Sequence, residues 1–180
     1  TRRRSSRAGR PIRPISTSTT AFELPERDLL AEGTAWDAKT RPLYLSSLYK
    51  RKIVAISPDG TARDFIVSGD EGIGPVAGME VDPLRRGLWA ASMVLAEAGI
   101  PLGDTTLLAH GLLFHYDVDT GRLRRRYVLR PAKGQRHGFN DLTVMPNGDV
   151  YITDSQSGGV YKLGAGGGEI VEVLPPGTYT

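Results

Sequence analysis

Gly33-Thr-Ala-Trp-Asp-Ala-Lys-Thr-Arg-Pro-Leu-Tyr-Leu-Ser-Ser47, Gly78-Met-Glu-Val-Asp-Pro-Leu-Arg-Arg-Gly-Leu-Trp-Ala-Ala-Ser92 and Asp141-Leu-Thr-Val-Met-Pro-Asn-Gly-Asp-Val-Tyr-Ile-Thr-Asp-Ser155 are three versions of one pattern. Each reads as a strand, a turn and a second strand carrying an aromatic residue (Tyr44, Trp89, Tyr151), and each closes on a serine (Ser47, Ser92, Ser155). Residues 52–57, 112–117 and 160–163 supply a third apolar strand. Residues 62–67, 123–129 and 169–174 supply a fourth. Four short strands per repeat is the composition of a propeller blade. Gly33 and Gly78 stand 45 positions apart, a blade-sized period. From Gly78 to Asp141 the spacing is 63, and the excess lies between the second and third strands, around residues 94–110.

The fold expected is therefore all-β: a partial β-propeller of about three blades, near residues 33–67, 78–129 and 141–174, within a domain spanning 22–180. One blade buries its faces only against its neighbours, and a closed ring takes roughly four to eight. Three blades alone would leave two large apolar faces exposed. The expectation is that the remaining blades lie past Thr180, with Pro175-Pro176-Gly177 turning toward the next one.

Outside the repeats the chain is less patterned. Residues 1–21 are rich in Arg, Ser, Thr and Pro without periodicity and read as a flexible basic arm. Much of the formal charge of +3 sits there, in Arg2, Arg3, Arg4, Arg7, Arg10 and Arg13. The remaining domain is near neutral or slightly acidic, which argues against a nucleic-acid partner. No apolar run approaches the roughly 18 residues needed to span a bilayer. The absence of cysteine excludes disulfides, thiolate metal sites and a cysteine nucleophile. It leaves the compartment of a soluble protein open, cytoplasmic or exported.

Chemistry in a propeller gathers where the innermost strands begin, at one mouth of the central channel. The residues just ahead of those strands are Glu32, Ala77 and Asn140. A carboxylate and an amide oxygen in equivalent places are hard donors that suit Ca²⁺, or Mg²⁺, better than a soft-ligand site. The same residue types also have ordinary uses. A glutamate ahead of a strand is commonly solvated, and Asn140 or Asp141 could cap a turn. His137 precedes Asn140 by three residues and could line the same mouth as a substrate-binding group. His110 and His115 lack zinc-site spacing. The glycines at 164–168 have no following lysine or helix and read as a hairpin turn. Arg124, Arg125 and Arg126 read as a charged strand face, and Asp154 as a structural hydrogen-bonding residue.

Ala31-Glu32-Gly33-Thr34-Ala35-Trp36-Asp37 resembles the Glu-Gly-x-x-Trp motif that opens members of the senescence marker protein (regucalcin)/gluconolactonase family. Phe139-Asn140-Asp141-Leu142, followed by Pro146-Asn147-Gly148-Asp149, resembles that family's Asn-Asp blade, and Gly78-Met79-Glu80-Val81-Asp82 fits the blade between. The resemblance runs from about Glu23 to Thr180 and implies the first half of a six-bladed propeller with one divalent cation, calcium or zinc, at the channel mouth. It implies a small-molecule lactone or ester as substrate, Glu32 as metal ligand and Asn140 at the metal or the substrate. The family's second Asn and its catalytic Asp belong to later blades, so the base is expected beyond Thr180 and this chain alone is expected to be inactive. Where sugar-lactone members carry an arginine, two residues before the Asn, this chain has Gly138. The competing reading is a non-catalytic propeller that binds a ligand or a protein partner.

Overall fold

A computed structural model describes residues 17–94 and 105–178. Twelve strands form three antiparallel sheets in simple meander order. The first is β1 (Ala31–Trp36), β2 (Leu43–Ser47), β3 (Lys52–Ile56) and β4 (Ala62–Ile66). The second is β5 (Val76–Asp82), β6 (Gly87–Ser92), β7 (Gly111–Asp117) and β8 (Leu123–Leu129). The third is β9 (Phe139–Val144), β10 (Val150–Asp154), β11 (Val160–Leu163) and β12 (Ile170–Leu174). These are the three expected blades, with strand limits within a residue or two of the reading above. The remaining regular structure among the described residues is two single 3₁₀ turns, Asp70–Gly72 and Thr105–Leu107. None of it is a helix long and apolar enough to cross a membrane. Most of the basic arm (residues 1–16) and most of the long β6–β7 connection (residues 95–104) lie outside the described residues.

The sheets stack through their faces. Ala35, Tyr44, Ile53, Ala55 and Ile66 of the first blade pack on Val76, Met79, Leu88 and Phe114 of the second. Trp89 and Leu113, on the second blade's other face, pack on Phe139, Val150, Ile152 and Leu163 of the third. In the first two blades the recurring aromatic of the second strand, Tyr44 or Trp89, therefore has one job. It is the plug that fills the gap to the next sheet. Trp89 also carries the His115 ring stacked on it at 3.9 Å. Burial and the nearby Arg124 charge lower the His115 pKa to about 4, so it packs there as a neutral ring.

The expectation of two open apolar faces needs correction at both ends. At the first blade, Leu24 and Leu29 lie on Val54, Ile56, Leu43 and Leu45 and cover the outer face. Lys52 anchors this strap, with Nζ 2.6 Å from both Glu26 and Asp64. The third blade's outer face is mixed rather than apolar. Tyr151 has Thr143 and Lys162 as cross-strand neighbours, and Val171 faces Lys162.

Between the first two blades, Asp37 is inaccessible to water. Arg86 clasps it with both terminal nitrogens, at 2.7 and 2.8 Å, and also reaches Asp119 at 2.6 Å. The Arg86 hydrogen bonds hold the Asp37 carboxyl well below the usual carboxylate range. Between the second and third blades, Arg85 donates to Pro146 O at 3.1 Å, and Glu80 accepts from Val144 N at 2.9 Å.

Candidate functional site

The innermost strands β1, β5 and β9 carry the same irregularity at the same place. In each, two residues oppose one on the neighbouring strand: Glu32 and Gly33 opposite Ser46, Ala77 and Gly78 opposite Ala91, Asn140 and Asp141 opposite Thr153. Glu32, Ala77 and Asn140 are thus the second residues of their strands, not residues ahead of them as expected. The reason is a β-bulge, which lets the strand begin pairing one residue earlier and then re-aims the side chain at the bulge. A sequence read as strict alternation places the strand start after the interruption.

In the first and third blades the bulge is tied down by a hydroxyl across the strand pair. Gly33 N donates to Ser46 Oγ at 2.7 Å, and Asp141 N donates to Thr153 Oγ1 at 3.1 Å. The second blade has Ala91 in that place and Ala77 on its bulge, so it lacks both the hydroxyl and the oxygen-bearing side chain. Ser46 and Thr153 escaped the sequence reading. Their signal is a hydroxyl two positions beyond the recurring aromatic in two blades of three.

The three bulges touch. A Cβ built on Gly33 would lie 2.3 Å from Ala77 O, and one on Gly78 would lie 2.2 Å from Asp141 Oδ1 and 2.7 Å from Asp141 Cα. Backbone on backbone at this range is available only to glycine. Gly78→Ala is therefore expected to cost about 2 kcal/mol by forcing the inner strands apart. Urea denaturation checks this, with Gly166→Ala as control because nothing surrounds Gly166.

This stacking sets the electrostatics of the mouth. The Glu32 carboxyl is pushed above its ordinary range, first by burial and then by the Asp141 charge. Asp141 also caps Leu142 N at 2.9 Å, the backbone role expected of it, but its charge bears on Glu32 as well. Among the described residues, no three His, Cys, Asp or Glu side chains lie close enough to hold an ion by themselves.

His137 sits differently from a loop histidine lining an open mouth. It is buried, its Nδ1 donates to Asp154 Oδ2 at 2.7 Å, and its ring meets Tyr161 edge-on at 5.5 Å. Asp154 Oδ1 also accepts from the backbone N–H groups of Gly138, Gln156 and Ser157, each within 3.0 Å. Register shows why. Ala31 pairs with Ser47, Val76 with Ser92 and Phe139 with Asp154. Asp154, not Ser155, is the partner of Ser47 and Ser92, a one-residue correction to the repeat alignment. The two serines donate to the carbonyls of Leu29 and Pro75, just ahead of their blades. Asp154 reverses that polarity and accepts from the residues ahead of its blade. Gly138 is pinned beneath Gln156, whose Cγ would lie 2.5 Å from a Cβ there, so a larger residue at 138 needs Gln156 to move.

The sequence profile of the SMP-30/gluconolactonase/LRE-like region matches residues 30–178, all three blades. The chain belongs to that family. A comparison with curated proteins finds no match. Among solved structures, a gluconolactonase from Xanthomonas campestris is 22% identical with a TM-score of 0.56, covering 81% of this chain and 47% of its own. A virginiamycin B lyase from Staphylococcus aureus, solved with quinupristin, is 16% identical with a TM-score of 0.64, covering 91% and 47%. A streptogramin B lyase is 19% identical with a TM-score of 0.61, covering 86% and 44%. The chain spans about half the length of these structures. At such identities the likeness is one of fold, and a fold shared by a lactonase and lyases leaves the reaction to the site.

Proposed function

We propose that this chain forms the metal-binding part of a lactonase-like hydrolase of the family, acting on a lactone or ester with one divalent cation. The observation that carries the reading is the placement of Glu32 and Asn140. They hold equivalent bulge positions and carry side-chain oxygen donors, on inner strands whose backbones stack through Gly33 and Gly78. A carboxylate penalised by burial and by a neighbouring negative charge is one that a cation relieves. A carboxylate and an amide oxygen suit calcium, with magnesium or zinc as the alternatives. They would be two members of a ligand set completed by water or by groups outside these three blades.

When bound, the cation would supply Lewis acidity toward the substrate carbonyl. This chain's own residues would hold and orient. Asp154 keeps the proton of His137 on Nδ1, which leaves Nε2 as the ring atom able to accept from a substrate hydroxyl. Gly138, lying beneath Gln156, offers no cation to clamp a sugar acid.

Calorimetric titration with calcium and with zinc tests the reading, on the protein and on Glu32→Ala and Asn140→Ala. One calcium bound, weakened at least about tenfold (~1.4 kcal/mol) by either substitution, supports it and directs a lactone screen. No cation binding by the folded protein would overturn it and favour a non-catalytic propeller that binds a ligand or partner.

A further inference from the structure

Strand β8 runs Leu-Arg-Arg-Arg-Tyr-Val-Leu and is the outermost strand of the second blade, paired on one side only. A cavity of about 410 Å³ lies along it, walled by residues 125–130 and, across the gap, by residues 168–170 at the start of β12. Side chains alternate between the two faces of a strand. A groove that meets six consecutive residues therefore meets the strand's edge, where backbone N–H and C=O groups have no ladder partner.

The side chains around this edge are strongly of one sign. Arg125, Arg126 and Arg130 reach the groove, and Glu169 is the one acidic residue in its wall. Arg125 lies over the Tyr127 ring at 5.1 Å, and Arg126 makes a long contact, 3.5 Å, with the Glu71 carbonyl. Arg124, next along the strand, is by contrast neutralised by Asp117 at 2.6 Å. Charged side chains commonly protect an exposed edge from pairing. Here cations flank the free edge on both faces, Arg125 beside Tyr127 on one and Arg126 toward Glu71 on the other, so the protection holds against neutral and basic segments and fails against acidic ones.

We infer that the free edge of β8 is a docking site for an extended acidic peptide, which adds to the second blade's sheet as a further strand. Backbone hydrogen bonds would give the affinity, and Arg125, Arg126 and Arg130 would select carboxylate side chains at alternating positions. The site lies on the outer strands, whereas Glu32 and Asn140 lie on the innermost ones, so the inference does not depend on the hydrolase reading.

Fluorescence anisotropy with a labelled peptide of alternating Glu and Val tests it on the whole chain. The expected result is saturable binding that weakens about tenfold (~1.4 kcal/mol) or more in the Arg125→Glu/Arg130→Glu variant, with circular dichroism unchanged. Methylating alternate backbone nitrogens of the peptide is expected to abolish binding, because it removes the donors that pair with the edge. Equal binding of the methylated peptide would overturn strand addition, since charge alone would then suffice. No binding up to about 1 mM peptide, or tighter binding of a single-stranded oligonucleotide than of the peptide, would overturn the proposal.

Discussion

Arg86→Ala is expected to lower the unfolding free energy by about 3 kcal/mol. Asp37 is closed off from water, and Arg86 is its bidentate partner across the interface of the first two blades. Removing the cation leaves a buried carboxylate facing Asp119 with only Thr40 and the Lys39 N–H to satisfy it. The lower end of the range for broken buried pairs applies because Asp37 sits near the end of the blade, where relaxation can admit water. The check is the urea midpoint, with Arg85→Ala as the milder comparison because the Arg85 side chain is 42% exposed against 16% for Arg86. The pH dependence has a definite sign. The folded-state pKa of Asp37 is depressed, so its contribution is present above the unfolded carboxylate pKa near 3.9 and fades as pH falls through the lower folded value. The wild type should therefore lose stability on acidification below about pH 4 more steeply than Arg86→Ala.

Asp154→Ala should cost about 4 kcal/mol, counting about 2 kcal/mol for each of the two fully buried donors, His137 Nδ1 and Gly138 N, left without an acceptor. Water can reach the turn N–H groups of Gln156 and Ser157, so these add less. The informative partner is a double variant, His137→Leu with Asp154→Ser. It rebuilds in the third blade the pairing that the first blade makes with Leu29 and Ser47. If the third blade is a charged version of a common joint, the double variant recovers more than half of the loss, a coupling that denaturant titration of the two singles and the double would read out. Full additivity would mean that the joint is not shared among the blades.

Both predictions concern pairs that local pattern hides. The strands were legible because strand, turn and strand are local statements. Apolar alternation has a period of two, and Pro146-Asn147-Gly148 marks a reversal whose Gly148 takes a φ of 95°. Set in register on Gly33, Gly78 and Asp141, the repeat places Glu32, Ala77 and Asn140 in equivalent positions. The alignment slipped by one at Ser155 because the turn between β9 and β10 is one residue shorter than its counterparts: Val144 pairs with Val150, six positions on, where Trp36 pairs with Leu43 and Val81 with Leu88, seven positions on. Asp154 then looked like an appendage to the motif rather than its terminal member.

Three four-stranded blades, their order, and the oxygen-bearing residues at the start of the first and third can be read along the chain alone. These follow from side-chain alternation and turn chemistry, which act over a few residues. The packing of sheet on sheet sets the rest: the bulges stack through Gly33 and Gly78, Asp141 bears on Glu32, Arg86 reaches an aspartate 49 positions away, and residues 24–29 cover the first blade. Those contacts join different sheets. Their partners are fixed by how one twisted sheet sits on the next, and no short period in the chain encodes that.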